Sequence, residues 1–189
     1  MKFYESGDNR KPVIFLFPGT CCLYSSFDHV LDGLHSYFYT VTVSYDGFDP
    51  NEKTEFYSME DECEKIEQEI RKKYGGRIYL VAKIQSSMVV PFMYKMVHTG
   101  TLPKFMQKKL DKTDGGKKEL YNGFFNMFGI GKGGSPWITK QSVYNQFYSD
   151  LVTKVQHGID VPGTTIHVFY ATKMGEKYEK RYCTYFKNP

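Results

Sequence analysis

Phe15–Cys22 (FLFPGTCC) carries the residues best placed to do chemistry. An apolar, β-forming run stops at Pro18-Gly19, and glycine lets backbone come close to a ligand. The N–H groups of Thr20 and Cys21 are therefore candidate donors to a carbonyl or carboxylate oxygen. A plain strand-end turn is the alternative reading. The five histidines, His29, His35, His98, His157 and His167, have no evident sequence partner and read as structural or solvated side chains. His167 alternates with Ile166 and Val168, which places it on one face of a strand. No H-x-x-x-H or HExxH pattern is present, and Cys21, Cys22, Cys63 and Cys183 lack paired C-x-x-C spacing, so no metal is expected. Gly129–Ser135 (GIGKGGS) lacks the spacing of a phosphate-binding loop and follows no strand, so no nucleotide or other cofactor is expected.

The elements that must position these residues come from a chain of 189 residues, enough for one substantial core. With 41% hydrophobic and 24% charged residues the composition is that of a globular protein. Aromatics reach 17%, a surplus that fits either an apolar pocket or a Tyr-rich core and rim. The net charge of +4 is not gathered into an aromatic-interleaved basic stripe, which argues against a nucleic-acid partner. No apolar run approaches the ~20 residues of a transmembrane helix. Glu5, Asp8, Arg10 and Lys11 interrupt any secretory core at the start. A cytoplasmic protein with reduced thiols and no membrane partner is the expectation.

Lys11–Phe17, Tyr39–Tyr45 and Arg77–Ala82 read as strands, the first by its continuous apolar run buried on both faces. Between them lie two helical patterns. Ser26–Phe38 has Phe27, Val30, Leu31 and Leu34 at helical spacing. Ser58–Lys73 has a capping-box-like Ser58 and Asp61, a stripe of Met59, Cys63, Ile66 and Ile70, and Gly75-Gly76 at its end. Its acidic first turn, Glu60–Glu62, and basic last turn, Arg71–Lys73, suit the helix dipole and read as solvated surface. Strand–helix alternation predicts an α/β fold with a doubly wound, mostly parallel sheet. Beyond Gln85 the pattern turns helical, with Pro136–Val155 a long helix whose Val143, Phe147, Leu151 and Val155 share a face. Thr164–Ala171 is a further expected strand and Gly175–Phe186 a last helix.

Several multi-residue stretches resemble a group of bacterial α/β-hydrolases. They are the opening KFYESGDNRKPVIFLFPGTCC, VSYDGFD at Val43–Asp49, the helix ending Tyr74-Gly75-Gly76, and KMVHTG, YNQFYSDL and TTIHVFYATKMGEKY. The resemblance runs over nearly the whole chain. It implies a shortened α/β-hydrolase-like fold, with an α/β core at 1–83 and 160–189 and a helical cap inserted at 84–159. It also implies that Thr20 and Cys21 are the oxyanion-hole-like donors, with Pro18 standing where such proteins commonly carry His. Under the cap, Phe92, Tyr94, Phe124, Phe125 and Tyr144 are candidates to shape a pocket for a small apolar or acyl-type ligand.

Departures from that pattern bear on activity. The family carries a G-x-S-x-G elbow after the strand matching Arg77–Ala82, and no such motif exists here. Ser86 and Ser87 are the fallback nucleophiles. Ile84 and Met88, or Gln85 and Val89, would then stand at the glycine positions, where bulky side chains clash in a strained turn. Alternatively, Gln85–Gly100 resembles the family's cap helix, and the elbow and the strand beyond it, with its triad acid, are missing. The catalytic His of the family follows the final strand, and no His follows Thr164–Ala171. The expectation is a protein resembling carboxylic-ester and acyl hydrolases with impaired catalysis, or a non-catalytic binding remnant of the fold.

Overall fold

Among the described residues four strands form one sheet: β1 (Lys2–Ser6), β2 (Val13–Phe17), β3 (Tyr39–Ser44) and β4 (Ile78–Ala82). They belong to a computed structural model that describes residues 1–74, 78–82, 137–154, 157–160, 162, 165, 180 and 183–186. The sheet order is β1-β3-β2-β4. β2 runs parallel to β3, with Phe15 opposite Val41, and parallel to β4, with Phe15 opposite Leu80. The three strands expected from the apolar runs are thus parallel neighbours. Thr164–Ala171, the fourth expected parallel strand, lies outside the described residues apart from Thr165.

β1 was not anticipated. Its KFYES sequence mixes charged and aromatic residues and shows little periodicity, yet it pairs antiparallel with β3, Lys2 opposite Ser44 and Ser6 opposite Thr40. It is half-exposed along most of its length, as suits a strand with one free edge.

From β2 the chain passes through a short 3-10 turn, Tyr24–Phe27, and helix α1 (Asp28–His35) to β3. It then returns through α2 (Met59–Lys73) to β4 on the other side of β2. Right-handed crossovers in opposite directions put the two helices on opposite faces, which is double winding. α1 is shorter than the helical pattern Ser26–Phe38, and its Val30 is exposed rather than part of a buried stripe.

α2 begins as its sequence promised. The Ser58 side chain accepts the Asp61 N–H at 3.2 Å, and Met59, Ile66 and Ile70 pack on the core. Two details of its faces differ from expectation. Cys63 is exposed, and Glu62, assigned to the solvated face, is fully buried. The loop after β3 folds back beside α2, so that the Asp46 N–H donates to Glu62 Oε2 at 3.1 Å and Lys65 Nζ lies 3.4 Å from Oε1. A buried carboxylate with these partners is satisfied, which the helix pattern alone could not indicate.

The third helix among the described residues, α3 (Lys140–Val152), lies within the span expected from Pro136 to Val155. Thr139 caps it by accepting the Ser142 N–H at 3.0 Å. Val143 and Phe147 enter the core with Phe15, Val41, Val43, Tyr45, Phe48 and Phe56, whereas Leu151 is exposed. At Gly47 (φ +77°) a Cβ would press into the Ser142 side chain and come within 2.8 Å of the Phe56 nitrogen, so only glycine permits this approach.

The chain divides into two units, Met1–Val152 and Thr153–Pro189. Within the second, Ile159 forms a parallel bridge to Phe186, and the His157 ring packs edge-on against Tyr185. Most of the expected last helix, Gly175–Phe186, lies outside the described residues. Among the described residues no helix is long and apolar enough to cross a membrane.

Candidate functional site

Open α/β sheets bind ligands outside the carboxyl ends of their strands, where the winding reverses direction. Here that place adjoins the end of β2, at Pro18–Cys22. Pro18 and Gly19 are buried, and the Cys22 N–H donates to the Gly19 carbonyl at 2.9 Å, closing the turn. Cys21 sits at φ 56°, left-handed backbone that few non-glycine residues adopt. The sequence-derived donors Thr20 and Cys21 therefore lie on a tight turn at the strand end.

The Cys21 N–H and the Thr20 hydroxyl already have partners, supplied by α3. The Cys21 N–H donates to Gln146 Oε1 at 2.7 Å in a buried contact, and Thr20 Oγ1 donates to Asp150 Oδ2 at 2.6 Å. Gln146 and Asp150 are one helical turn apart, so a single face of α3 grips two consecutive residues of the turn.

The same helix also holds the loop after β3. Ser142 Oγ accepts the Phe56 N–H at 3.1 Å, Asn145 Nδ2 donates to the Phe56 carbonyl at 2.8 Å, and Ser149 Oγ accepts the Met59 N–H at 3.3 Å. Ser142, Gln146 and Ser149 are buried, forming a polar stripe beside the apolar one. Sequence reasoning found the apolar stripe of α3 and missed this one. Its signal was present as polar residues at helical spacing in a segment that also presents Val143 and Phe147.

Electrostatics separate the two acidic groupings near the strand ends. Burial lifts the Asp150 carboxyl above the ordinary aspartate range, against the opposing hydrogen bond from Thr20. The Cys21 thiol is pushed well up, by burial first and then by the Asp150 carboxylate. It is a protonated, unreactive thiol at neutral pH. Asp46, Asp61 and Glu62 bring carboxylate oxygens within 4.8 Å of one another. Lys65 pairs with all three, at 2.5 Å from Asp46, and the Met1 amine pairs with Asp46 as well. Two ammonium groups thus pair with this trio, and it reads as an ion-pair network between the Met1 amine, the β3 loop and α2.

A hydroxyl–imidazole pair exists elsewhere. Ser6 Oγ lies 2.9 Å from His35 Nε2, and Thr40 Oγ1 lies 2.7 Å from Ser6 Oγ and 3.1 Å from the imidazole. These residues stand where β3 begins, at the opposite end of the sheet from Cys21. His35 has the structural role expected of it, and His29 is exposed.

Of the expected pocket residues, Tyr144 is half-buried on α3, its ring stacked with Tyr148 at 6.3 Å between centroids. Phe92, Tyr94, Phe124 and Phe125, and the fallback nucleophiles Ser86 and Ser87, lie outside the described residues. The four cysteines are free.

No family model matches the chain, and no curated protein matches it. Solved structures do. At TM-score 0.50 and 15% identity, 1H-3-hydroxy-4-oxoquinoline 2,4-dioxygenase aligns with 79% of this chain and 66% of its own. A hydrolase from Pseudomonas aeruginosa PA01 aligns at TM-score 0.48 and 12% identity, over 81% of this chain and 69% of its own. An alpha/beta hydrolase family protein from Desulfitobacterium hafniense aligns at TM-score 0.46 and 9% identity, over 78% and 71%. The likeness is one of fold alone. The chain has a shortened α/β-hydrolase-like fold and spans about two thirds of the length of these proteins.

Proposed function

We propose that this chain is an α/β-hydrolase-like protein with impaired ester hydrolysis, which holds a small apolar or acyl-type ligand at the strand ends without cleaving it. The observation that carries this reading is the occupied turn. A hydrolase of this type needs backbone N–H groups free to meet a developing oxyanion, at 2.7–3.1 Å by the general geometric rule. The Cys21 N–H already spends its single proton on Gln146 Oε1. The sequence after β4 supports the same conclusion, since Ile84, Gln85, Met88 and Val89 stand where a serine elbow requires glycines. α3, lying against the turn after β2 and the loop after β3, supports the reading of a helical cap over residues 84–159.

The test is turnover of p-nitrophenyl butyrate by the purified chain and by the double variant Ser86→Ala, Ser87→Ala. The expected result is the same slow hydrolysis from both, at the level of general surface nucleophiles. Robust turnover abolished in the double variant overturns the reading and makes the chain an active esterase.

A further inference from the structure

We propose that Ser6 is a site of covalent acylation, a nucleophile that takes one acyl group from an activated ester with His35 as its base. The site lies at the opposite end of the sheet from the Thr20–Cys21 turn and stands independently of the reading of that turn.

Three observations carry it. First, Ser6 Oγ and His35 Nε2 are 2.9 Å apart, within reach for an imidazole to take a hydroxyl proton. Second, the proton count makes the serine the donor to that imidazole. Thr40 Oγ1 donates to the Ser6 carbonyl at 3.2 Å and lies 2.7 Å from Ser6 Oγ, so its single proton is directed at Ser6. Ser6 is left to donate to the neutral ring, and the Thr40 hydroxyl stands where charge develops on Ser6 Oγ as that proton leaves. Third, the imidazole is held from outside the triangle. Lys11 Nζ donates to the carbonyls of His35 and Ser36 at 2.6 and 3.1 Å, which pins the end of α1. The ring lies against Gly7, the residue after Ser6, whose backbone is left-handed at φ +96° and where a Cβ would come within 3.0 Å of His35 Cδ2. Ser6 and His35 are half-buried beside the exposed Gly7, which leaves an approach for a small acyl donor.

The step balances within these groups. Ser6 Oγ bonds to the acyl carbon, the bond from that carbon to the leaving oxygen breaks, and the Ser6 proton passes through His35 Nε2 to the leaving group. Thr40 Oγ1 sits 3.1 Å from Nε2, in the place a hydrolytic water would need. The acyl group therefore stays on Ser6, and one transfer occurs per chain.

The experiment treats the full chain with p-nitrophenyl butyrate, follows nitrophenolate release, and maps the butyryl group by mass spectrometry of a digest. The expected result is a burst of one equivalent with the butyryl group on Ser6, and no burst from Ser6→Ala. His35→Gln keeps a hydrogen-bonding partner for the hydroxyls but cannot carry the proton. It is expected to slow the burst by about a hundredfold, the usual worth of a positioned base, while its melting temperature stays near that of the unaltered chain. A purely structural cluster would leave the burst rate of folded His35→Gln unchanged, and that result overturns the proposal. The mapping needs no variant, so a variant that fails to fold leaves the test intact. A butyryl group absent from Ser6, or spread over lysines at the same rate, overturns the proposal as well. Steady turnover after the burst bears on the strand-end reading, whereas the residue that carries the butyryl group decides this one.

Discussion

The two ends of the sheet hold two polar clusters of opposite chemical appearance. Where the parallel strands begin, Ser6, His35 and Thr40 form a hydroxyl–imidazole triangle with contacts of 2.7–3.1 Å. That is the spacing expected of a nucleophile and its base. Where the strands end, the Thr20–Cys21 turn meets a carboxamide and a carboxylate from α3. The first cluster has reactive residue types in the wrong place. Its hydrogen bonds tie β1 to β3 and to the end of α1, away from the carboxyl ends where such sheets bind ligands. The second has the right place and unreactive residue types. Position in the fold, more than a short distance between two side chains, therefore decides which cluster is the candidate site.

The comparison breaks most visibly on stability. Phe147→Ala should cost about 3–5 kcal/mol, the usual range for emptying a buried aromatic site, because Phe147 is 1% exposed and anchors the helix that grips the strand-end turn. His35→Ala removes an imidazole bonded to two hydroxyls at the other end and should cost only about 1 kcal/mol. Urea unfolding of both variants measures the contrast. A His35→Ala loss as large as that of Phe147→Ala would mean that the strand-start cluster, and not α3, organises the fold.

The smallest effect sharpens the electrostatics of the strand ends. Asp150 has its carboxyl raised by burial, so the folded chain holds its proton more tightly than the unfolded chain does. Its contribution to stability is full below the ordinary aspartate value of 3.8 and is lost as pH rises through the raised folded value. Asp150→Asn keeps an acceptor for the Thr20 hydroxyl and removes this titration. The melting temperature of the variant relative to the unaltered chain should climb as pH increases from about 3.5, then level off. Glu62, also raised by burial, acts in the same direction in both proteins and cancels in the difference. A difference that is flat, or falls with pH, would show that Asp150 is not desolvated against Thr20.

Much of the architecture was legible because each segment declares its own periodicity. KPVIFLF, with both faces suited to burial, YTVTVSY and RIYLVA read as strands, and they became the parallel β2, β3 and β4, although Tyr79, Leu80 and Val81 of β4 are exposed. Ser58 and Asp61 announced the start of α2 through a bond spanning three residues. Local rules reached the turn as well, since strand, Pro18 and Gly19 pointed to Thr20 and Cys21 before any partner was known.

What local rules could not contain is pairing between distant segments. β1 exists because Lys2–Ser6 finds the free edge of β3, and its own KFYES pattern carries no such instruction. Glu62 looked solvated because a helix pattern shows charge and spacing, while the loop that brings the Asp46 N–H over it comes from another element. The occupied turn is the clearest case: Cys21 and Gln146 are 125 residues apart. By itself the sequence determined a parallel α/β sheet and a glycine-preceded turn with N–H groups at a strand end. Only the packing of α3 decided that the Cys21 N–H meets a carboxamide and the Thr20 hydroxyl a carboxylate, because a buried donor takes whichever acceptor the tertiary fold brings within reach.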